Sequence, residues 1–367
     1  MTAGVETAAA EAQSAGPTPV ANLTPFVLTR LDPGVPRPLQ GRIGEWSLDT
    51  TLSYGNTFIM SDNVRSYLQA RDERRALDVR DVAALDAAGQ DYYYLDVNVT
   101  RMTLEASMRV TSRLAGFVRV PIIHSGGGRI DSVIEGFHDV FGFDSAGRDL
   151  VARDGFQAIA RIGDDRVRQL DPGSGTHVGD PVFGARYEVG DWLGWTWQWA
   201  AALKPSLRPA RIIVANGATD ASVQVAARRR FAGGVLWLAA DNVWAGGSEL
   251  FPSAHRASIP GLQAIYERRV SQNTEVLLQA NASASTIDAG SNDLAALSEP
   301  EYQFTIGLRR QTPSATYALA FTENISNLDN SSDVGMHFSV AWRFDAVHSL
   351  LSLIEPIGSH STKLARR

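Results

Sequence analysis

Polar and charged side chains alternate with apolar ones along several stretches of the chain, and this spacing is the first feature that could support chemistry. In "MTLEASMRV", Glu105 and Arg109 alternate with Leu104 and Met108. Because successive side chains of a β-strand point to opposite faces, the charges fall on one face and the apolar residues on the other. On a closed barrel the polar face would line the lumen, where acids and bases can pair. We assign to this lumen-facing, ligand-contacting set Asp49, Asp96, Glu105, Arg109, Arg119, Arg186, Glu188, Lys204, Arg228, Glu267, Glu275, Arg309 and His337.

A histidine and a serine two positions apart, His337 and Ser339, are the residue types of a lipid hydrolase. The pair resembles the one in outer-membrane phospholipase, an enzyme with a twelve-stranded barrel. Both residues here fall on the polar face, whereas lipid hydrolysis needs them to face lipid, and no third group that would orient the histidine is identifiable. We therefore predict two polar wall residues and no enzyme, and keep a lipid hydrolase only as an alternative.

Composition excludes several other function classes. The 367 residues include no cysteine, which removes disulfides, thiol catalysis and zinc–cysteine sites. The net charge of -6 argues against a nucleic-acid-binding surface. No phosphate-binding glycine loop or G-x-S-x-G motif occurs, and the histidines lack metal-ligand spacing. We expect no cofactor and no metal.

Alternation of apolar and polar residues runs along nearly the whole chain and predicts about twelve strands. Short turns such as "GDWL" and "FAGG" alternate with longer connections, and this parity is typical of an outer-membrane barrel with periplasmic turns and extracellular loops. The mean hydropathy of -0.12 agrees with such a barrel, because apolar residues that face lipid alternate with polar residues that face the lumen and the average stays near zero. The predicted strands start near Gly44, Tyr92, Leu114, Thr176, Gly194, Thr219, Gly234, Ser258, Thr274, Glu301, Ala315 and Asp333.

Aromatic residues stand near the ends of the apolar strand faces, which indicates the girdles of a membrane barrel rather than the core of a soluble all-β sandwich. The residues concerned are Trp46, Tyr54, Tyr187, Trp195, Tyr302 and Trp342. Near Thr100 and Arg101 the alternation shifts by one residue, which predicts a β-bulge.

The longest connection, residues 125–175, contains apolar residues at helical spacing, and we predict a short helix around 130–142. One interpretation is a lid over the barrel mouth that contacts a ligand through His138 and Arg148. The other, which we favour, is a packed loop that covers a barrel wall. The residues singled out in this insertion are Asp131, Glu135, Phe137, His138 and Arg148.

The motif "GGGRIDSVIEGFHDVFGFDSAGRD" followed by "HVGDPVFGARY" resembles a bacterial family that is classed only as a domain of unknown function and grouped with outer-membrane β-barrels. The resemblance spans about residues 22–344. It implies an outer-membrane location and no established activity. The matching positions are Asp131, Ile134, Phe137, His138, Phe141, Gly142, Arg148 and the strand-entry pair Gly179 and Asp180.

We divide the chain into a disordered lead-in (1–40), an outer-membrane barrel (41–344, with the insertion 125–175) and a periplasmic tail (345–367). No signal peptide is present at the given start, which we explain by a true start upstream. The stretch "VGMHFSVAWRF" is the predicted closing strand, pairing with "WSLDTTLSY". It ends on Phe344, where the aromatic signal for the barrel-assembly machinery would stand.

The predicted function is a channel or transporter for small solutes, partly closed by the insertion. A structural or adhesin barrel without transport is the main alternative. Expected partners are outer-membrane lipid, the assembly machinery and a small solute, but no nucleic acid. The sequence does not indicate an oligomeric state.

Overall fold

The computed structural model describes residues 16–344 except 72, 129–146, 171–172, 291–293, 327–329, 331 and 333. Within this range, twelve strands form one closed antiparallel ring, as predicted. The last strand pairs with the first from Trp46↔Phe344 to Asn56↔Val334, so the ring has no free edge. The ring consists of β1 (Trp46–Met60), β2 (Tyr92–Arg109), β3 (Leu114–Gly126), β7 (Val182–Trp192), β8 (Trp195–Lys204), β9 (Asp220–Phe231), β10 (Gly234–Trp244), β11 (Ser258–Arg269), β12 (Thr274–Ser283), β13 (Glu301–Gln311), β14 (Ala315–Ser326) and β15 (Val334–Phe344).

The two ends of the barrel differ in the length of the connections between strands. Tight turns follow β2, β7, β9, β11 and β13 and define the short-turn end, where β1 also begins. At the long-loop end the chain adds three further strands, β4 (Gln157–Ile162), β5 (Asp165–Gln169) and β6 (Gly175–Val178). The helices are α1 (Pro25–Leu28), α2 (Asp62–Gln69), α3 (Val79–Ala87) and α4 (Ala295–Ser298). None of the helices in the described residues is long and apolar enough to cross a membrane.

The outward face of the barrel carries large, exposed apolar side chains. Phe338 and Met336 on β15 are each 47% exposed, whereas His337 between them is fully buried. Trp46 and Tyr187 towards the short-turn end and Tyr302 towards the long-loop end are also exposed. An apolar outside around a polar inside is the inverse of a soluble protein and fits a lipid-facing wall.

An outer cap, residues 61–91 and 147–170, covers the outside of β1 and β2 at the long-loop end. α2 and α3 pack their apolar sides, including Val64 and Leu85, onto Phe58 and Tyr94. Asp78 and Asp81 form a capping box at the start of α3, which satisfies backbone N–H groups that a helix start leaves open. Both faces of the strands are therefore buried here.

Burial of both faces explains why the pattern of apolar and polar residues shifts by one position near Thr100. The predicted β-bulge is wrong. β2 pairs with β1 and β3 in unbroken register through Thr100 and Arg101. Odd-numbered residues face the lumen along the whole strand. At the long-loop end they are apolar, as in Leu95 and Val97, because they pack against buried apolar residues there.

The expected disordered lead-in is also wrong for residues 16–40, which lie inside the barrel; residues 1–15 are outside the described residues. Residues 16–45 form what we call the luminal hairpin. Its first leg (16–22) rises from the short-turn end beside Gln279, and α1 lies in its tip (23–28) at the long-loop end. The second leg (29–45) returns to the short-turn end, where Arg109 Nη1 donates a hydrogen bond to the Gly41 carbonyl (2.7 Å). Lumen-facing side chains need partners, and the hairpin supplies many of them.

Candidate functional site: the barrel lumen

The hairpin tip is apolar and packs against the long loops. Leu23, Phe26 and Leu28 are buried in one core with Tyr93 and other apolar residues of β2, β4 and the long loops. The Phe26 and Phe251 rings meet edge to face, with centroids 5.7 Å apart. A buried aromatic pair of this kind adds about 0.5–1.5 kcal/mol beyond the burial of its area. The tip is therefore held by packing.

The second leg is held by charge around Glu105. Arg119 Nε and Arg186 Nη2 donate to the Glu105 carboxylate at 3.0 and 2.8 Å. Arg37 of the hairpin lies 2.9 Å from Asp49 and 3.6 Å from Glu105. All of these groups are buried or half-buried, so their attraction is screened less than that of surface pairs. The structure thus brings together four predicted lumen residues and one hairpin residue that the sequence did not indicate.

A second charged cluster holds the first leg. Arg309 bridges Glu267 and Glu275 and donates to the Gly16 carbonyl of the hairpin. Trp237 Nε1 donates to Glu267 at 2.6 Å. The Thr18 N–H donates to the Gln279 amide oxygen at 2.9 Å. The carboxylates are fully engaged, as buried charges must be to offset the cost of desolvation.

A third cluster joins the second leg to β8 and β9. Asp220 accepts from Leu31 N–H at 2.9 Å and lies 3.3 Å from Lys204 and 3.5 Å from Arg30. Lys204 also lies 3.9 Å from Asp180, one of the strand-entry pair. The other member, Gly179, has no room for a side chain, because a Cβ there would meet Pro121 at 2.9 Å.

Of the remaining residues predicted to line the lumen, most contact neighbouring strands of the barrel wall, and one, Asp96, does not face the lumen. Arg228 pairs with Glu188 at 3.3 Å, and His337 Nδ1 lies 2.8 Å from the Ser53 hydroxyl. Asp96 does not line the lumen: it shares the outward, capped face of β2 with Tyr94, whose hydroxyl donates to it at 3.3 Å. The unbroken register of β2 puts Asp96 on the opposite face from Glu105.

The insertion packs against the outside wall where the structure describes it. Arg148 donates to Asn56 on β1 and stacks over the Phe58 ring at 4.4 Å. This position matches the interpretation of a wall-covering loop and not a ligand contact at the mouth. Asp131, Glu135, Phe137 and His138, with the predicted helix, lie outside the described residues.

Four cavities follow the hairpin through the lumen and share lining residues. The first (about 900 Å³) lies at the short-turn end and is lined by Trp46, Arg109 and Arg37. Arg37 also lines the second (about 470 Å³), and Arg101 joins the second to the third (about 930 Å³). Arg30 and Thr286 join the third to the fourth (about 320 Å³), which lies among the long loops. The cavities form a series between the two barrel ends.

Several residues that line these cavities were not predicted from the sequence: Asp32 and Arg37 in the hairpin, Arg101 on β2 and Asp241 on β10. Arg101 stood at the apparent shift of alternation, and Asp241 in a stretch whose faces could not be assigned. The hairpin residues showed no periodicity. No group of three metal-ligating side chains occurs among the residues that the structure describes.

Comparison with solved structures shows the same barrel type. The COG4313 outer membrane channel from Pseudomonas putida F1 superposes with a TM-score of 0.52 at 11% identity, covering 83% of this chain and 97% of that one. The KdgM porin, in complex with disordered oligogalacturonate, gives 0.39 at 5% identity, covering 81% and 99%. A Pseudomonas aeruginosa FadL homologue gives 0.35 at 10%, covering 84% and 91%. At 11% identity the similarity to the COG4313 channel shows the fold alone, and the lower TM-scores of the other two structures indicate a weaker structural similarity.

No curated protein matches the chain. A family model described as "Protein of unknown function (DUF3187)" matches residues 1–344, which confirms the resemblance seen in the sequence. The chain belongs to this uncharacterised family, DUF3187, and folds as a twelve-stranded barrel of the outer-membrane type.

Proposed function

We propose that the protein is an outer-membrane channel for small solutes, which pass beside the legs of the luminal hairpin. The observation that carries this proposal is the series of four cavities, each sharing lining residues with the next. A twelve-stranded barrel is wide enough to hold more than its own side chains. The hairpin occupies part of that width and narrows the passage to small molecules.

The location in the outer membrane is supported by the apolar exterior, with residues such as Leu319 (60% exposed) and Ile306 (50% exposed) facing outward. Surrounding lipid and insertion by the barrel-assembly machinery follow from that location as further predictions. Arg37 lines both of the first two cavities and contacts Asp49 and Glu105 on the wall, so we expect its side chain to set the width between these cavities.

Flux through the full chain in proteoliposomes tests the proposal. We expect small solutes to equilibrate faster than in protein-free vesicles. Arg37→Gln, which removes the link between hairpin and wall, should raise the rate. Arg268→Gln is the matched control, because Arg268 is exposed and lies outside the cavity linings. Absence of flux with both the natural chain and Arg37→Gln would contradict the channel and favour a structural or adhesin barrel.

A lipid hydrolase is not favoured by any contact of His337, which is buried and directed to Ser53 inside the barrel. A lipid-hydrolysing activity that His337→Ala abolishes would contradict the channel as the main function.

A further inference from the structure

Arg101 differs from the other arginines of the lumen. Its side chain projects from the lumen face of β2 and lines both the second and the third cavity. The residue is only 6% exposed. Among the residues that the structure describes, its guanidinium makes no hydrogen bond and no ion pair, and its Nε is buried without a partner. A buried charge without a partner is costly, and proteins rarely keep one without a use for it.

The neighbouring arginines show the contrast. Arg37, Arg119 and Arg186 all approach the Glu105 carboxylate, and Arg309 holds two other acids. Arg101 has only a longer-range attraction to Asp32 and a repulsion from Arg119. Its planar fork of donors, which matches a carboxylate, therefore remains available to a molecule in the cavity.

Among the described residues, the acids of the same cavity form hydrogen bonds but no close ion pair with a basic side chain. Asp32 accepts from the Gly34 N–H at 2.8 Å, and Asp241 accepts from the Gln263 amide at 3.4 Å. Glu301 accepts from the Asn22 amide at 2.6 Å. In the described part of the chain none of these three carboxylates lies within 4.0 Å of a Lys, Arg or His nitrogen, although all three line the third cavity with Arg101. Asp32 interacts electrostatically with both Arg101 and Asp241, so the cationic and anionic groups adjoin.

We propose that the third cavity binds small zwitterions of the amino-acid class, with the ligand carboxylate on Arg101 and its ammonium group towards Asp32 and Asp241. One positive group beside uncompensated acids suits a molecule that carries both charges better than a simple anion or a simple cation. This proposal rests on the proposed channel and names the solutes that it selects. Glu301 and the surrounding amides of Gln263 and Gln303 complete a polar wall around the ligand.

Binding to the full chain in detergent, measured by saturation-transfer NMR titration, tests the site without requiring transport. The probes are L-alanine, propionate (alanine without the ammonium group) and ethylamine (alanine without the carboxylate). We expect alanine to bind most tightly. Arg101→Gln should weaken alanine binding about tenfold or more, since a charge-assisted hydrogen bond is lost. Arg101→Lys should restore part of it.

A second variant separates the two halves of the site. Asp241→Asn should weaken alanine binding and leave propionate binding unchanged, because it removes a negative charge only from the ammonium side. Arg228→Gln is the matched control: Arg228 is another lumen arginine but lines none of the cavities and should leave all three probes unaffected. If Arg101→Gln does not fold, Arg101→Lys and Asp241→Asn still decide the question.

Two results would overturn the proposal: propionate binding as tightly as alanine, or alanine binding that is indifferent to both Arg101→Gln and Asp241→Asn. These results are distinguishable from failure of the channel. A chain that binds alanine in detergent but passes no solute in proteoliposomes retains the site and loses the proposed function. A chain that passes solutes without preferring alanine retains the channel and loses the site.

Discussion

The tip and the legs of the luminal hairpin are held in different ways. The tip is buried in an apolar core with the long loops, where Leu23 is 1% exposed and Phe26 is 8% exposed. The legs contact the wall mainly through ion pairs and hydrogen bonds, as at Arg37 and Gly16, with an apolar contact of Leu31 beside Phe117. The first two cavities lie beside the legs, the third lies beside the legs and touches the tip at Val27, and the fourth is lined by Pro25 and Phe26 of the tip.

Because tip and legs are held differently, one segment can both fill a barrel and leave a passage through it. Apolar packing tolerates few voids, so the tip fixes the hairpin in place. Polar contacts act at fixed points and leave wettable space between them. The tip thus serves as an anchor, while the legs set the width and the charge of the passage.

Loss of the anchor should give the largest effect. Phe26→Ala removes a buried ring and should cost about 3–5 kcal/mol of hairpin docking. We expect faster solute flux and proteolytic cleavage within residues 16–45. Phe338→Ala, which removes a ring from the exposed outer face, is the control. Unchanged flux and unchanged protease resistance in Phe26→Ala would show that the tip is not the anchor.

Loss of charge at a leg should have a smaller effect of a different kind. Glu105→Gln leaves Arg37, Arg119 and Arg186 without their shared carboxylate and should weaken this charged network by about 1.5–3 kcal/mol, as for the loss of a hydrogen bond to a charged group. The passage also becomes more positive. Reversal potentials in planar bilayers should therefore shift towards anion selectivity, with the tip still resistant to protease. A shift towards cation selectivity would contradict the conclusion that Glu105 contributes its negative charge to the passage.

Changes in the outer cap should have the smallest effect, and they serve as a negative control for changes in the passage. Burial would raise the pKa of Asp81, but hydrogen bonds from Arg75, the Asp78 backbone and Tyr67 outweigh it and lower the pKa to about 2. Because this pKa is depressed on folding, the stabilisation is complete above the ordinary value near 4 and is lost as pH falls through about 2. Hydrogen exchange of α3 should increase over that window, and Asp81→Asn should show increased exchange already at neutral pH. Solute flux at neutral pH should not change in Asp81→Asn, and a change would link the cap to the passage.

The strands were predictable because alternation is a local signal that twelve successive segments repeat. The hairpin was not, because its partners lie far away in sequence: the Thr18 N–H bonds Gln279, and Asn22 bonds Glu301. Only the closed barrel brings these residues together. Asp96 was misassigned for a related reason, since the cap buries the outward face of β2 and polar residues no longer mark the lumen.

The central claim is that solutes pass beside the hairpin legs, and the absence of cysteine allows a direct test of it. Thr103 lines the second cavity, whereas the next residue on β2, Leu104, faces outward. Each is replaced singly by cysteine, and flux is measured before and after a charged methanethiosulfonate reagent. We predict that modification at position 103 blocks flux until a reductant removes the adduct and that modification at position 104 has no effect. Undiminished flux after complete modification at position 103 would contradict the claim.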